Sequence, residues 1–280
     1  MPFTTPASFM PTTPITSLQN QRIKNAVKLR DRRGRDKQRR IIIDGAREIR
    51  RAQQAGIALE ELFWCDTICT EQVRRAIVDQ CETGEVFPVT AEVFDKLAFG
   101  DRSDGVVAVA AQPDRKLSSF DVPTDGLIVV LEGIEKPGNV GAVLRSADAS
   151  GVAGVIIADG GTDLFNPNCI RASLGTVFTI PIAVAKSEAS LSWLNQRGTK
   201  ILAARIDGAM WHTDANYRGA TAIVLGSEAT GLSERWSDEP VTAIKLPMLG
   251  VADSLNVSAT AAVLCYEALR QREATSPTDR

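Results

Sequence analysis

LIVVLEGIEKPGNVGAVLRSADASGVAGVIIAD, residues 127–159, decides the fold class. Residues 127–131 form an apolar run rich in β-branched side chains, the pattern of a strand buried on both faces of a parallel sheet. A polar loop follows, carrying Lys136, Pro137, Gly138, Asn139 and Gly141. Residues 140–150 then take helical spacing, because Val140, Val143, Leu144 and Ala147 fall 3, 1 and 3 apart and share one face. Gly151 predicts the helix stop. A second buried strand begins at residues 155–157 and ends at Asp159. Strand, Gly-bearing turn, helix and strand make one βαβ unit, which assigns the chain to the α/β class.

A βαβ unit with a Gly-bearing turn and an acid at the end of its second strand raises the possibility of a dinucleotide site. Asp159 stands where a ribose-binding acid would be. The glycines do not fit: Gly138 and Gly141 give G-x-x-G after a proline, not G-x-G-x-x-G, and the preceding EGIEKP is long and charged for a tight turn. The nicotinamide alternative is therefore set aside.

Outward from this unit, the 280-residue chain divides in two. Residues 1–16 are uncharged and rich in Thr and Pro, which predicts a disordered tail and not a signal peptide. Residues 17–112 alternate helical and strand patterns and predict a small α/β domain that opens on a helix over residues 17–40, capped by Ser17 or Asn20. Residues 113–126 hold prolines, serines and charges without periodicity and predict a linker. Residues 127–274 form the second domain, closing on a helix over residues 255–272 whose Val257, Ala261, Leu264 and Ala268 share a face; residues 275–280 are a tail. No apolar run approaches the roughly 20 residues that span a membrane.

The net charge is −2, but residues 21–50 alone hold twelve Lys/Arg against four acids. Such clustering points to a polyanion partner, and the density of arginine favours nucleic acid over a merely solvated helix face. Arg22, Lys24, Arg30, Arg32 and Arg33 are the candidate phosphate contacts. The five cysteines are odd in number and scattered, which argues for a reducing compartment. Cys65 and Cys69 stand four apart, but His212 is the only histidine and no second Cys pair exists, so no metal site is expected.

Three polar or Gly-bearing loops follow predicted strands of the second domain, at the carboxyl edge where open α/β sheets bind ligands. The first carries Asn139, a candidate helix cap, with Arg145 among small residues in the helix beyond it. The second is GSEATGLS, with Gly226, Glu228 and Gly231. The third is LPMLGVADSLNVS, where Ser254 predicts the cap of the last helix and Asn256 a first-turn residue.

Together, Asn139-x-Gly141-x-x-x-Arg145, LGSEATG at residues 225–231, LPM at residues 246–248 and SLNVS at residues 254–258 resemble the three motifs of the SpoU-type RNA ribose 2′-O-methyltransferases of the SPOUT superfamily. The resemblance spans the second domain in order and spacing. The first domain, through ITSLQNQRIKNAVKLR, IIIDGAREI and SDGVVAV, is similar to the L30e-like substrate-binding domain of the same family. What the resemblance implies is specific. The fold is an α/β SPOUT domain with a deep trefoil knot behind a small L30e-like domain, and the protein is a cytoplasmic homodimer joined through the knotted domain. The cofactor is S-adenosyl-L-methionine, held by backbone at Gly226, Leu246 and Leu255 with Met248, Ser254 and Asn256 nearby. Arg145 matches the catalytic arginine, and Asn139, Glu228 and Asn256 orient it or the ribose. A guanidinium stays protonated near neutral pH, so Arg145 is either a base perturbed by bound RNA or a cation stabilising the developing alkoxide. Arg171 adds an RNA contact. Ribosomal RNA is favoured over transfer RNA as substrate, and an RNA-binding protein that has lost catalysis is the alternative.

Overall fold

The computed structural model describes residues 13–81, 84–99, 104–237 and 240–273. Residues 1–12 of the tail expected over residues 1–16, and the tail expected at residues 275–280, lie outside them. The described residues form two compact units, one within residues 1–113 and 165–171 and one within residues 114–164 and 172–280.

In the first unit the single helix expected over residues 17–40 is two, α1 (Gln21–Lys28) and α2 (Arg32–Gln38). Asn20 caps α1, its side chain accepting from Arg22 N at 2.9 Å. Then follow β1 (Arg40–Asp44), α3 (Ala46–Gln54), β2 (Leu59–Trp64), and α4 (Glu71–Val73), which runs into a π-helical turn at Arg74–Val78. β3 (Glu85–Pro88), α5 (Ala91–Leu97) and β4 (Val106–Ala111) complete the unit. The sheet order is β1-β4-β2-β3, with β4 antiparallel to both neighbours and β2 parallel to β3. Ile15, inside the expected disordered tail, instead bridges Val89 in parallel.

The second unit holds β5 (Leu127–Glu132), α6 (Pro137–Ala149), β6 (Gly154–Ala158), β7 (Ile182–Ala185), α9 (Ser187–Gln196), β8 (Lys200–Ala204), β9 (Met210–Trp211), β10 (Thr221–Leu225), β11 (Val241–Lys245) and α10 (Val257–Glu273). Between β6 and β7 in the chain come the short helices α7 (Pro167–Ala172), all but the last residue of which group with the first unit, and α8 (Thr176–Thr179). The strand order β7-β6-β5-β10-β8-β11-β9 is parallel throughout. Every residue of β5, β6 and β10 is buried, as expected for strands covered on both faces. The predicted stripe Val257, Ala261, Leu264 and Ala268 is buried too, on α10, which packs against α6.

The segment expected as a linker is part of this core. Phe120 and Val122 are buried with Ile128, Val130 and Ile156. A Cβ at Gly154 would stand 2.6 Å from the Phe120 ring and 2.8 Å from Val122, so the first position of β6 is kept bare by the segment packed on it. Its polar, Pro-containing composition concealed these two apolar anchors.

The topology places the site. The sheet grows from β5 towards β6 and β7 on one side and towards β10 on the other, so the strand order reverses beside β5. Ligands of open α/β sheets collect outside the carboxyl ends of strands at such a switch point. Leu131 pairs with Leu225, which sets the loops after β5 and β10 next to each other.

Candidate active site

The sequence expectation makes Asn139 a cap. In the structure α6 begins three residues earlier than expected, at Pro137, and Lys136 is its cap residue. Proline suits the first helical turn because its missing N–H would have no partner there. The Asn139 amide is thereby released for a tertiary contact: its Nδ2 donates to Glu228 Oε1 at 3.0 Å. Lys136 Nζ lies 3.0 Å from Glu228 Oε2. The Lys136 ammonium is the first of the partners that hold the Glu228 carboxyl below its ordinary value, with Asn139 and the Val257 backbone adding to it against the cost of desolvation.

The third loop shows a similar exchange of roles. Ser254 does not cap the last helix; its hydroxyl donates to Asp253 at 3.0 Å. Asn256 caps instead, its Oδ1 accepting from Ser258 N at 2.9 Å. That leaves Asn256 Nδ2 to donate to Glu228 Oε1, and it also lies 3.5 Å from Asn139 Oδ1. Glu228 therefore gathers Lys136 and Asn139 from the first motif segment and Asn256 from the third around one carboxylate. Arg145 is exposed on α6 and, among the described residues, forms no hydrogen bond with this network.

Beside Glu228 opens a cleft of about 800 Å³, within the range of small-molecule sites. Gly226, Leu246, Met248, Ser254 and Leu255, all expected at the cofactor, line it. Glu228 lines it as well, and Asn256 borders it through that carboxylate. A Cβ at Gly226 would come within 2.5 Å of Gly231 O and Leu232 N, so glycine is required for the loop to fold back on itself there. The far wall was not foreseen. It consists of residues 204–207 after β8, with Trp211 and Lys245. Arg205 pairs with Asp207 at 2.8 Å, and the Lys245 ammonium sits 4.6 Å from the Trp211 ring centre. The carboxyl-edge rule applied to β8 would have found this wall, whereas the two-residue β9 is too short for periodicity to reveal. Apolar side chains, exposed loop backbone and charged groups of both signs suit a ligand with an apolar body and polar ends.

Below the loop, Glu132 closes β5. It is 6% exposed and accepts from Ser187 Oγ (2.6 Å), Ser233 N (2.7 Å), Ser233 Oγ (2.8 Å) and Trp236 Nε1 (2.8 Å). Burial alone would raise this carboxyl, and the four donors together more than reverse that, leaving it below its ordinary value.

The basic residues of the first unit part company. Arg22 Nη1 pairs with Glu61 at 2.7 Å and Glu85 at 2.8 Å, and its guanidinium lies over Phe87. Arg30 donates to the carbonyls of Lys96 and Ala98. Arg171, which groups with this unit, donates to the Phe99 carbonyl. Lys24 is half-buried, and Arg32 and Arg33 are exposed on or beside the first two helices.

Comparison with known proteins follows the same division. The profile of the SpoU rRNA Methylase family matches residues 126–266, and that of the MRM3-like substrate binding domain matches residues 20–108. The chain belongs to the SpoU rRNA methylase family. A 23S rRNA (uridine(2479)-2′-O)-methyltransferase of Streptomyces viridochromogenes is 32% identical, over 84% of this chain and 76% of the relative. The crystal structure of an RNA 2′-O ribose methyltransferase is 41% identical and superposes with a TM-score of 0.82, covering 92% of this chain and 99% of the other. An AdoMet-bound rRNA methyltransferase from Sinorhizobium meliloti is 28% identical with a TM-score of 0.82, covering 92% and 97%. The family resemblance of the three motifs is thus borne out. Among the described residues of this SpoU member, no helix is long and apolar enough to cross a membrane.

Proposed function

We propose that this chain methylates a ribose 2′-hydroxyl of ribosomal RNA with S-adenosylmethionine as donor. One observation carries the proposal: Glu228, on the rim of the cleft, binds polar groups from both of the other motif loops. The similar proteins that act on 23S rRNA favour ribosomal over transfer RNA.

Gly226, Leu246, Met248, Ser254 and Leu255 would hold the cofactor, which supplies an electrophilic methyl on a sulfonium. Asn139 and Asn256, fixed by Glu228, would orient the ribose. Arg145, exposed on α6, is assigned to the hydroxyl, where its cation lowers the cost of the developing alkoxide. Holding both reactants in line accounts for much of the rate enhancement such sites achieve.

The finer architecture belongs to the same proposal. We infer the deep trefoil knot of the SPOUT fold, supported by a strand order in which β10 enters between β5 and β8 while the next strand, β11, lies beyond β8. The first unit is taken as the L30e-like RNA-binding domain, on the strength of its mixed four-stranded sheet and its profile match. A homodimer through the second unit is supported by the apolar side chains left exposed there, Leu249, Val251, Val263 and Tyr266, and not by the α10 stripe, which is internal. A cytoplasmic location follows from the ribosomal substrate.

The test is transfer of labelled methyl from S-adenosylmethionine to total ribosomal and transfer RNA, followed by mapping of the modified ribose. Transfer to one ribosomal 2′-hydroxyl is expected. RNA binding with no transfer would replace the proposal with a catalytically inactive RNA-binding protein of this fold.

A further inference from the structure

We propose that Glu132 is a positioning residue for the cofactor side of the site, fastening the loop after β10 so that its backbone keeps the shape of the cleft. The inference rests on the methyltransferase function proposed above.

Residues 226–232 line the cleft and carry Glu228. The loop is fixed at its near end by β10. Its middle closes on itself, with Ser227 N and Gly231 N each donating to the other residue's carbonyl at 3.2 and 3.0 Å. Its far end is fastened by Glu132, whose Oε2 receives Ser233 N and whose Oε1 receives Ser233 Oγ and Trp236 Nε1. The same oxygen takes Ser187 Oγ from the start of α9, so the carboxylate ties the loop to a rigid helix as well as to β5. Trp236 is fully buried, which makes the anchor stiff.

A buried carboxylate is a costly way to fill space, and apolar packing would stabilise as well or better. What it provides is direction: four short, charge-assisted bonds meet two oxygens. A glutamine cannot reproduce them. With its carbonyl at the Oε1 position, the amide NH2 faces the Ser233 N–H; with the carbonyl at Oε2, it faces the indole N–H. Either way one N–H, the part-buried amide of Ser233 or the buried indole of Trp236, loses its acceptor.

The experiment is calorimetric titration of S-adenosylmethionine, without RNA, into the parental protein and Glu132→Gln, with kcat and KM then measured on RNA and folding followed by far-UV circular dichroism. A Kd raised about tenfold or more, with the fold intact and kcat at saturating cofactor lowered by a smaller factor than the Kd is raised, is expected. A Kd within about twofold of parental overturns the inference. A parental protein that binds no S-adenosylmethionine overturns the methyltransferase proposal and this inference with it. If Glu132→Gln does not fold, Ser233→Ala and Ser187→Ala decide. Each removes one hydroxyl from the same oxygen, but only Ser233 belongs to the loop. Weakened cofactor binding in Ser233→Ala alone supports the inference, and equal effects overturn it.

Discussion

Asn139 Nδ2 donates to Glu228 Oε1 at 3.0 Å across 89 residues of sequence. The bond closes a triangle, because Asn256 donates to the same oxygen and faces the Asn139 carbonyl. Neither amide can turn over without losing it, since Asn256 Oδ1 also caps α10. Only an ionised Glu228 accepts from all its partners at once.

That requirement gives a pH prediction. Lys136 holds the Glu228 carboxyl down, so the carboxylate persists to lower pH than an ordinary glutamate. Because the folded value is depressed, the triangle is complete above the ordinary glutamate range and is lost as pH falls through the depressed value. Lys136→Met removes the largest cause of that lowering. The acid limb of the methyl-transfer rate should therefore move to higher pH, with the rate at pH 8 changed less than at pH 4. A rate profile measured from pH 3.5 to 8 checks this, and an unmoved acid limb would separate Glu228 ionisation from activity.

Arg145 stands outside the triangle, exposed on α6, which separates its role from cofactor binding. Arg145→Ala should leave the S-adenosylmethionine Kd within about twofold while methyl transfer falls on the order of 100-fold or more, the scale of losing one transition-state contact. Single-turnover label transfer beside calorimetry measures both. Transfer at the parental rate would remove Arg145 from the chemistry.

How far the sequence carried these assignments follows from how local each signal is. The buried strands and the three loops were legible because apolar runs and glycines act within a few residues. Asn139 and Asn256 were legible as motif members, but Asn139's release from capping and the cap that Asn256 takes over from Ser254 go with amide bonds to Glu228, 89 and 28 residues away. Arg22 looked like a phosphate contact because its partners Glu61 and Glu85 lie 39 and 63 residues downstream. Phe120 and Val122 were hidden by the polar residues around them, and Trp211 by a strand too short to show a period.

Asp44 supplies a stability test in the first unit. It accepts from Phe99 N at 2.6 Å, yet burial outweighs that bond and the neighbouring Arg171, and its carboxyl is pushed up to about 6. Between about pH 4 and 6 the folded chain keeps a proton that the unfolded chain has released. On this group's account stability is greatest below about pH 4 and declines as pH rises through 6, by roughly 2–3 kcal/mol in all. Asp44→Asn retains an acceptor for Phe99 N and removes the buried charge. It should raise the urea midpoint at pH 7.5 and flatten the change between pH 5 and 7.5. A variant less stable than the parent by the same amount at both pH values would show that the Arg171 attraction, not desolvation, dominates.

The division among the basic residues leads to a salt prediction. Arg33 is exposed on α2, whereas the Arg22 guanidinium is committed to Glu61 and Glu85. A residue that meets phosphate contributes nearly one released counterion, so its loss weakens binding and flattens the dependence of log K on log salt. Arg33→Glu should therefore lower ribosomal RNA affinity several-fold at 100 mM salt and reduce the slope by about 1, with the thermal midpoint unchanged. Arg22→Ala should do the reverse. It strands Glu61, which is only 6% exposed, without one of its two arginines, so the first unit should melt earlier while the salt slope stays near parental. Filter binding across a salt series, beside thermal melts of both variants, measures the contrast. Equal slopes in Arg33→Glu and the parent would move the RNA contact off α2.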